Sequence, residues 1–167
     1  MSRGFVKEDD QEEAPLIPPR AALPPGVTNY VTPEGLQALL EEKIYLENAK
    51  SQNKHENDAA RRYENLMIEG KLKLLIERIN SAKVVEPSEN TDEARFGSTV
   101  KLKTITGLKP GMVRKFKIVG VDEADVKNNK IAFTAPIAKA VIGKRLHEKL
   151  EFQIGNTIEK LEVLEVS

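Results

Sequence analysis

The chain has 167 residues, which suits one or two small domains. Its 26 basic and 26 acidic residues cancel, so no net field draws it to nucleic acid or membrane, and any such contact must use a local patch. The absence of cysteine excludes disulfides, thiolate zinc sites and thiol catalysis.

The first 13 residues are acidic and lack the apolar core of a signal peptide, and no run approaches the roughly 20 apolar residues of a membrane span. The expectation is a cytoplasmic protein with no membrane partner. Residues 1–31 read as a disordered tail. An acidic run, Lys7-Glu8-Asp9-Asp10-Gln11-Glu12-Glu13, precedes Pro15, Pro18, Pro19, Pro24 and Pro25, which favour an extended backbone that builds no core. Phe5-Val6 and Leu16-Ile17 are the apolar anchors available if the tail docks on a partner.

Residues 32–83 predict an antiparallel helical hairpin. Thr32 suits an N-cap, Pro33 the first helical position, and Glu34 the positive end of the helix dipole. Leu36, Leu39, Leu40, Ile44 and Leu46 follow at helical spacing. The polar stretch 52–58 reads as the tip, with Asn57 or Asp58 capping the second helix. In that helix Ile68, Leu72, Leu75 and Ile79 step by four, three and four, the rhythm of a coiled-coil seam, and Tyr63 and Met67 extend the buried face. Gly70 costs about 1 kcal/mol relative to Ala, so it is either tolerated or needed for a close approach. Helices of roughly 20–25 residues make a prong on the order of 30–37 Å long.

After a polar linker, 84–95, the period changes to two. Strands are expected around Val100-Leu102-Thr104, over 113–119, 130–134 and 150–154, and over 158–164, the last two forming a hairpin about Gly155-Asn156. Pro136 opens a short helix that Gly143 stops. The fold class is α+β: a helical hairpin, then a small antiparallel sheet domain, 96–167, with one short helix.

Three segments carry a resemblance. Phe96-Gly97-Ser98-Thr99-Val100 is followed by Phe116-Lys117-Ile118-Val119-Gly120-Val121-Asp122-Glu123-Ala124-Asp125. Then comes Ala135-Pro136-Ile137-Ala138-Lys139-Ala140-Val141-Ile142-Gly143-Lys144. In order and spacing they resemble the Gre family of bacterial transcript-cleavage elongation factors, with Ala135 in place of the usual Ser. Thr32-Pro33-Glu34-Gly35-Leu36 fits the start of that family's first helix, and Ile79-Asn80-Ser81-Ala82-Lys83 the end of its second. The likeness covers about residues 31–166 and leaves the tail outside.

The resemblance implies an FKBP-like sheet domain that docks on the rim of the RNA polymerase secondary channel through Thr134, Ala135 and Pro136. It implies a prong that enters the channel, where two tip acids help to hold a magnesium ion of the polymerase, so that backtracked RNA is hydrolysed. On that reading the chain is no enzyme, has no cofactor or stable metal of its own, and meets nascent RNA and DNA only through the elongation complex. Carboxylates are natural Mg²⁺ ligands, and a second metal activates the attacking water.

The tip departs from the family. The hairpin is roughly 15 residues shorter, which shortens the prong by on the order of 10 Å. Its acids, Glu56 and Asp58, are two residues apart rather than three. Three readings of them stand: Asp58 as a helix cap with Glu56 solvated, metal-assisting acids, or an altered tip that binds polymerase without stimulating cleavage. The last matches a short-prong competitor similar to the regulator of nucleoside diphosphate kinase. A hairpin interaction module with another partner is the rival from a different class.

Other residues yield less. His55 and His147 fall in different domains, which argues against a histidine metal site. Arg61 and Arg62 read as a solvated face or as phosphate contacts, and Lys101, Lys103, Lys115 and Lys117 as a water-facing row. The chain has no Trp and only 5% aromatic residues, too few for the aromatic pocket of a prolyl isomerase.

Overall fold

The computed structural model describes residues 13–89 and 91–167. Helix α1 (Pro33–Gln52) begins as the sequence predicts: the Thr32 hydroxyl accepts from the Gly35 N–H at 2.9 Å, and Pro33 takes the first helical position. Helix α2 (Asp58–Ser81) returns along it. Leu39, Leu46, Ile68 and Leu75 are buried between the two, flanked by Leu36, Leu72 and Ile79. The seam of α2 is therefore the expected one.

On α1 the seam is narrower than predicted. Leu40 and Ile44 face outward, Ile44 being 57% exposed, because the buried stripe steps from 36 to 39 to 46 and both residues fall off it. Tyr63 is likewise half exposed rather than buried in the seam. It stands on the flank of α2, beside Glu13 and Ala14.

Two short strands, β1 (Asn29–Val31) and β2 (Ala82–Val84), pair in parallel at the base of the hairpin, with Asn29 opposite Ala82 and Val31 opposite Val84. Parallel strands need a long crossover, and the whole hairpin serves as that connection. Asn29 is buried and donates through Nδ2 to the carbonyl of Arg78 at 3.0 Å, which joins the strand to the last turn of α2. This small sheet was not expected from the sequence.

The tail reading needs correction over its described part. The acidic run up to Glu12 and the pair Phe5-Val6 lie outside the described residues. From Glu13 onward the chain has no regular structure up to β1, yet it packs along α2. Ile17 occupies the space left by Gly70, where a Cβ would overlap its side chain, whereas Leu16 points to solvent. Gly70 thus makes room for the extension rather than for the other helix. Arg20 explains why the segment is held: its guanidinium makes two bonds to the Glu42 carboxylate, at 2.8 and 2.9 Å, and a third to Asp122 at 2.9 Å.

The sheet domain contains β3 (Thr99–Thr106), β4 (Val113–Val119), β5 (Lys130–Ala132), β6 (Lys149–Ile154) and β7 (Thr157–Val166) in the order β5-β4-β3-β7-β6. Helix α3 (Pro136–Val141) lays Ala138 and Val141 on a core of Val100, Leu102, Phe116, Ile118, Leu161 and Val163. The last hairpin turns at Gly155-Asn156 as predicted, with Gly155 at φ 58°. One strand departs from the expected antiparallel pattern. β5 runs parallel to β4, because residues 120–129 carry the chain back through a 3-10 turn (Val126–Asn128) before β5 begins.

The seam assignment predicts that Leu75→Ala, at a fully buried position, lowers unfolding free energy by about 2–5 kcal/mol. Ile44→Ala, one helix away but off the seam, should cost within about 0.5 kcal/mol. Urea titrations followed by circular dichroism measure both.

Candidate functional site

Three regions of the chain carry polar groups placed to do something: the prong tip, the loop ahead of α3, and the junction that joins them. At the tip, Asn53 ends α1 and ties the two helices. Its Nδ2 donates to the Arg61 carbonyl at 3.1 Å and to Asn65 Oδ1 at 2.9 Å. His55 pairs with Glu64 at 2.7 Å, and Lys50 with Glu69 at 2.8 Å, so the last turns are laced across the hairpin. Residues 54–60 are all exposed.

The capping question is settled between two adequate residues. Asn57 is the N-cap of α2, its Oδ1 accepting from the N–H groups of Ala59 at 2.9 Å and Ala60 at 3.2 Å. Asp58 is therefore the first helical residue and not the cap, a correction to that reading. There its carboxylate is favoured by the helix dipole and is ion-paired with Arg61. Arg61 also donates to the His55 carbonyl at 3.2 Å, so this arginine closes the tip. Glu56 is exposed one position before the cap. Among the described residues no group of three histidines or acids is placed to hold a metal ion.

The loop ahead of α3 is anchored on both sides. The Phe133 N–H donates to the Val119 carbonyl at 2.8 Å, and the Ala135 N–H to the Ala132 carbonyl at 2.9 Å. Thr134 and Ala135 are half-buried, and Pro136 is exposed at the first position of α3. Ala135 stands at the N-cap with no side-chain bond to offer, so the N-terminal turn of α3 is left uncapped from within the chain. Glu56 and Asp58 are thus not brought near Thr134, Ala135 and Pro136. The length of α1, 20 residues or about 30 Å, lies between them.

The junction holds residues that local sequence rules pass over. Asp122, with its side chain 8% exposed, receives Arg20 at Oδ1 and has Arg78 Nε 2.9 Å from Oδ2, close enough for charge attraction though off the line of a hydrogen bond. Hydrogen bonds to Glu42 and to Asp122 raise the Arg20 pKa above the ordinary arginine value, against the burial that opposes charge. Glu123 accepts from the Thr32 hydroxyl and pairs with Lys130 at 3.1 Å. Tyr30 meets Phe96 at a tilt and Phe133 edge-on, with centroids 5.9 and 5.7 Å away, which ties β1 to the residue before Thr134. Gly120 lets this happen, since a Cβ there would stand 2.7 Å from the Tyr30 carbonyl oxygen. One signal was available for Arg20: it is the only charged residue between Glu13 and Glu34, an unusual composition for a solvated tail.

Comparison with known proteins bears on both halves. The family model for the C-terminal domain of the GreA/GreB transcription elongation factors matches residues 89–167. The transcription elongation factor GreA of Christiangramia forsetii is 30% identical over 156 residues, which covers 83% of this chain and 96% of that protein. The chain belongs to the GreA/GreB family of transcription elongation factors. The GreA of Syntrophobacter fumaroxidans is 37% identical over 101 residues, a match that spans 60% of this chain and 63% of that protein's length. Among solved structures, the GreA factor homolog 1 of Thermus thermophilus aligns over 84% of this chain and 99% of its own, at 17% identity and a TM-score of 0.40. Among the described residues of this GreA/GreB family member, no helix is long and apolar enough to cross a membrane.

The division of labour at the tip is testable in the free protein. Asn57→Ala should cost about 1 kcal/mol of stability and speed hydrogen exchange at the Ala59 and Ala60 amides that it accepts from. Asp58→Ala should leave those two amides protected. Exchange followed by NMR distinguishes the two.

Proposed function

We propose that this chain regulates transcription elongation by binding RNA polymerase at its secondary channel. Thr134, Ala135 and Pro136 dock on the channel rim, and the hairpin enters the channel tip first. Any chemistry then takes place at the polymerase's own active site, with its own magnesium. Family membership supports this reading together with the geometry: the polar, exposed tip ends a helix about 30 Å long, and the base of that hairpin is joined through Tyr30 to Phe133, next to the loop ahead of α3. The Pro at the first turn of α3 presents a rigid corner there.

The tip favours docking without stimulation of RNA cleavage. A carboxylate that serves as a magnesium ligand has to come within about 2.1 Å of the metal with its lone pairs free. Asp58 instead spends its charge on Arg61, which also holds the His55 carbonyl. Glu56, immediately ahead of the cap, is the second exposed acid, only two residues from Asp58, whereas Mg²⁺ demands near-ideal octahedral placement of its ligands. On this reading the protein occupies the channel and competes with factors that do promote cleavage.

A stalled, backtracked elongation complex provides the experiment. The expected outcome is binding without shortening of the nascent RNA, together with inhibition of an added cleavage factor. Pro136→Ala should weaken polymerase binding by about tenfold, equivalent to 1.4 kcal/mol. RNA shortening that disappears in the double variant Glu56→Ala, Asp58→Ala would establish the cleavage mode instead. No binding to polymerase, with Pro136→Ala making no difference, would point to a hairpin module for another partner.

A further inference from the structure

Residues 13–28 accompany α2 from tip to base. Glu13 and Ala14 line a groove of about 430 Å³ with Ala59, Ala60 and Tyr63, next to the tip. Ile17 fills the gap at Gly70 in mid-helix, and the Ala21 carbonyl accepts from Arg78 in the last turn. The lengths agree: eight residues of extended backbone, from 13 to 21, cover about 25 Å. The 18 residues of helix from 60 to 78 rise about 27 Å. The extension is therefore a third element of the prong, laid parallel to α2.

We infer that this extension is a strap that positions the prong, setting where the tip points relative to Thr134, Ala135 and Pro136. The hairpin and the sheet domain have separate hydrophobic cores that share no residue, so apart from the Tyr30 contact their mutual angle rests on polar links. Arg78 with Asp122 and Thr32 with Glu123 join the two at the base of the hairpin, and the strap adds a further link along its length. Arg20 is bonded at once to Glu42 on α1 and to Asp122 in the segment after β4. Ten residues on, just past the extension, Tyr30 of β1 packs against the Phe96 and Phe133 pair of the sheet domain. A strap fastened to the helix at Gly70 and to the other domain at Asp122 resists rotation of one against the other. Arg20 is accordingly a positioning residue: it acts on the tip, about 15 Å beyond Glu42 along α1, only through the angle at which the prong is held.

The chain lacks cysteine, so Gln52→Cys beside the tip and Asn156→Cys on the far hairpin of the sheet domain accept two spin labels and nothing else does. Pulsed EPR on the full chain should give one narrow distance distribution. In Arg20→Ala, and in a chain that starts at residue 29, the distribution should broaden or shift while the helical circular dichroism of Arg20→Ala is kept. Arg20→Ala leaves every residue of the hairpin core in place, so it decides the matter even if the shortened chain does not fold. A narrow distribution at the same distance in Arg20→Ala overturns the inference. Its consequence for transcription rests on the function proposed above: Arg20→Ala should bind polymerase nearly as well as the parent but compete less with a cleavage factor. If the distances change as expected and neither protein binds polymerase, the proposed function fails and the strap stands.

Discussion

The carboxylate of Asp122 sits where three parts of the molecule meet. The extension reaches it through Arg20 and α2 through Arg78, while Asp122 itself follows the strand at one side of the sheet domain. With its side chain 8% exposed, it has little water to fall back on. A buried ion pair adds little net stability compared with an apolar filling, but losing one partner leaves a charge stranded, at a cost of about 3–5 kcal/mol when burial is complete. Such a contact therefore fixes an arrangement more than it strengthens it. Glu123, next along the chain, repeats the device: it ties the N-cap of α1 to Lys130 of β5.

Given that junction, the rest of the geometry follows. Each core is modest by itself: the hairpin buries a single seam, and the sheet domain buries one face under a helix of six residues. Neither core constrains the other. The polar clasp and the Tyr30, Phe96 and Phe133 cluster hold the prong at one angle, so that the tip and the loop ahead of α3 stand at a set separation. A protein that must touch a large partner at two distant points needs such a fixed span, because an uncertain angle at the base becomes a displacement of many ångströms at the end of a 30 Å lever. The tip itself is built for shape as much as for charge. Asn53, Asn57 and Arg61 spend their polar groups closing the turn, and Asp58 is drawn into that closure.

Much of this was legible in the sequence where local rules decide. Thr32-Pro33-Glu34 announces a helix start, the steps from Ile68 to Ile79 announce a seam, and Gly155-Asn156 announces a hairpin. Each depends on residues within a few positions of one another. The sequence was least informative where distant segments meet. β1 and β2 have three residues each and pair only because the intervening hairpin returns the chain to its starting point. β5 was placed correctly but its direction was not, since Asn128-Asn129 reads equally well as a hairpin turn and as the end of a 3-10 turn with Asn129 at φ 56°. The extension misled for a related reason: prolines prevent helix and sheet but do not prevent packing, and the role of Arg20 depends on two acids 22 and 102 residues away. At the tip, Asn57 and Asp58 are both good caps, and only the path of the loop decides between them.

In the proposed binding mode, a prong of this length reaches into polymerase while the loop ahead of α3 holds the rim. Site-specific photo-crosslinking measures that directly, with one crosslinker at Lys54 on the tip and another at Lys139 on the exposed face of α3, in a stalled elongation complex. With the prong inside the channel, the Lys139 probe attaches to the outer rim of the secondary channel and the Lys54 probe to its interior wall. Attachment of both probes to the same outer surface, or of neither to polymerase, would contradict that binding mode.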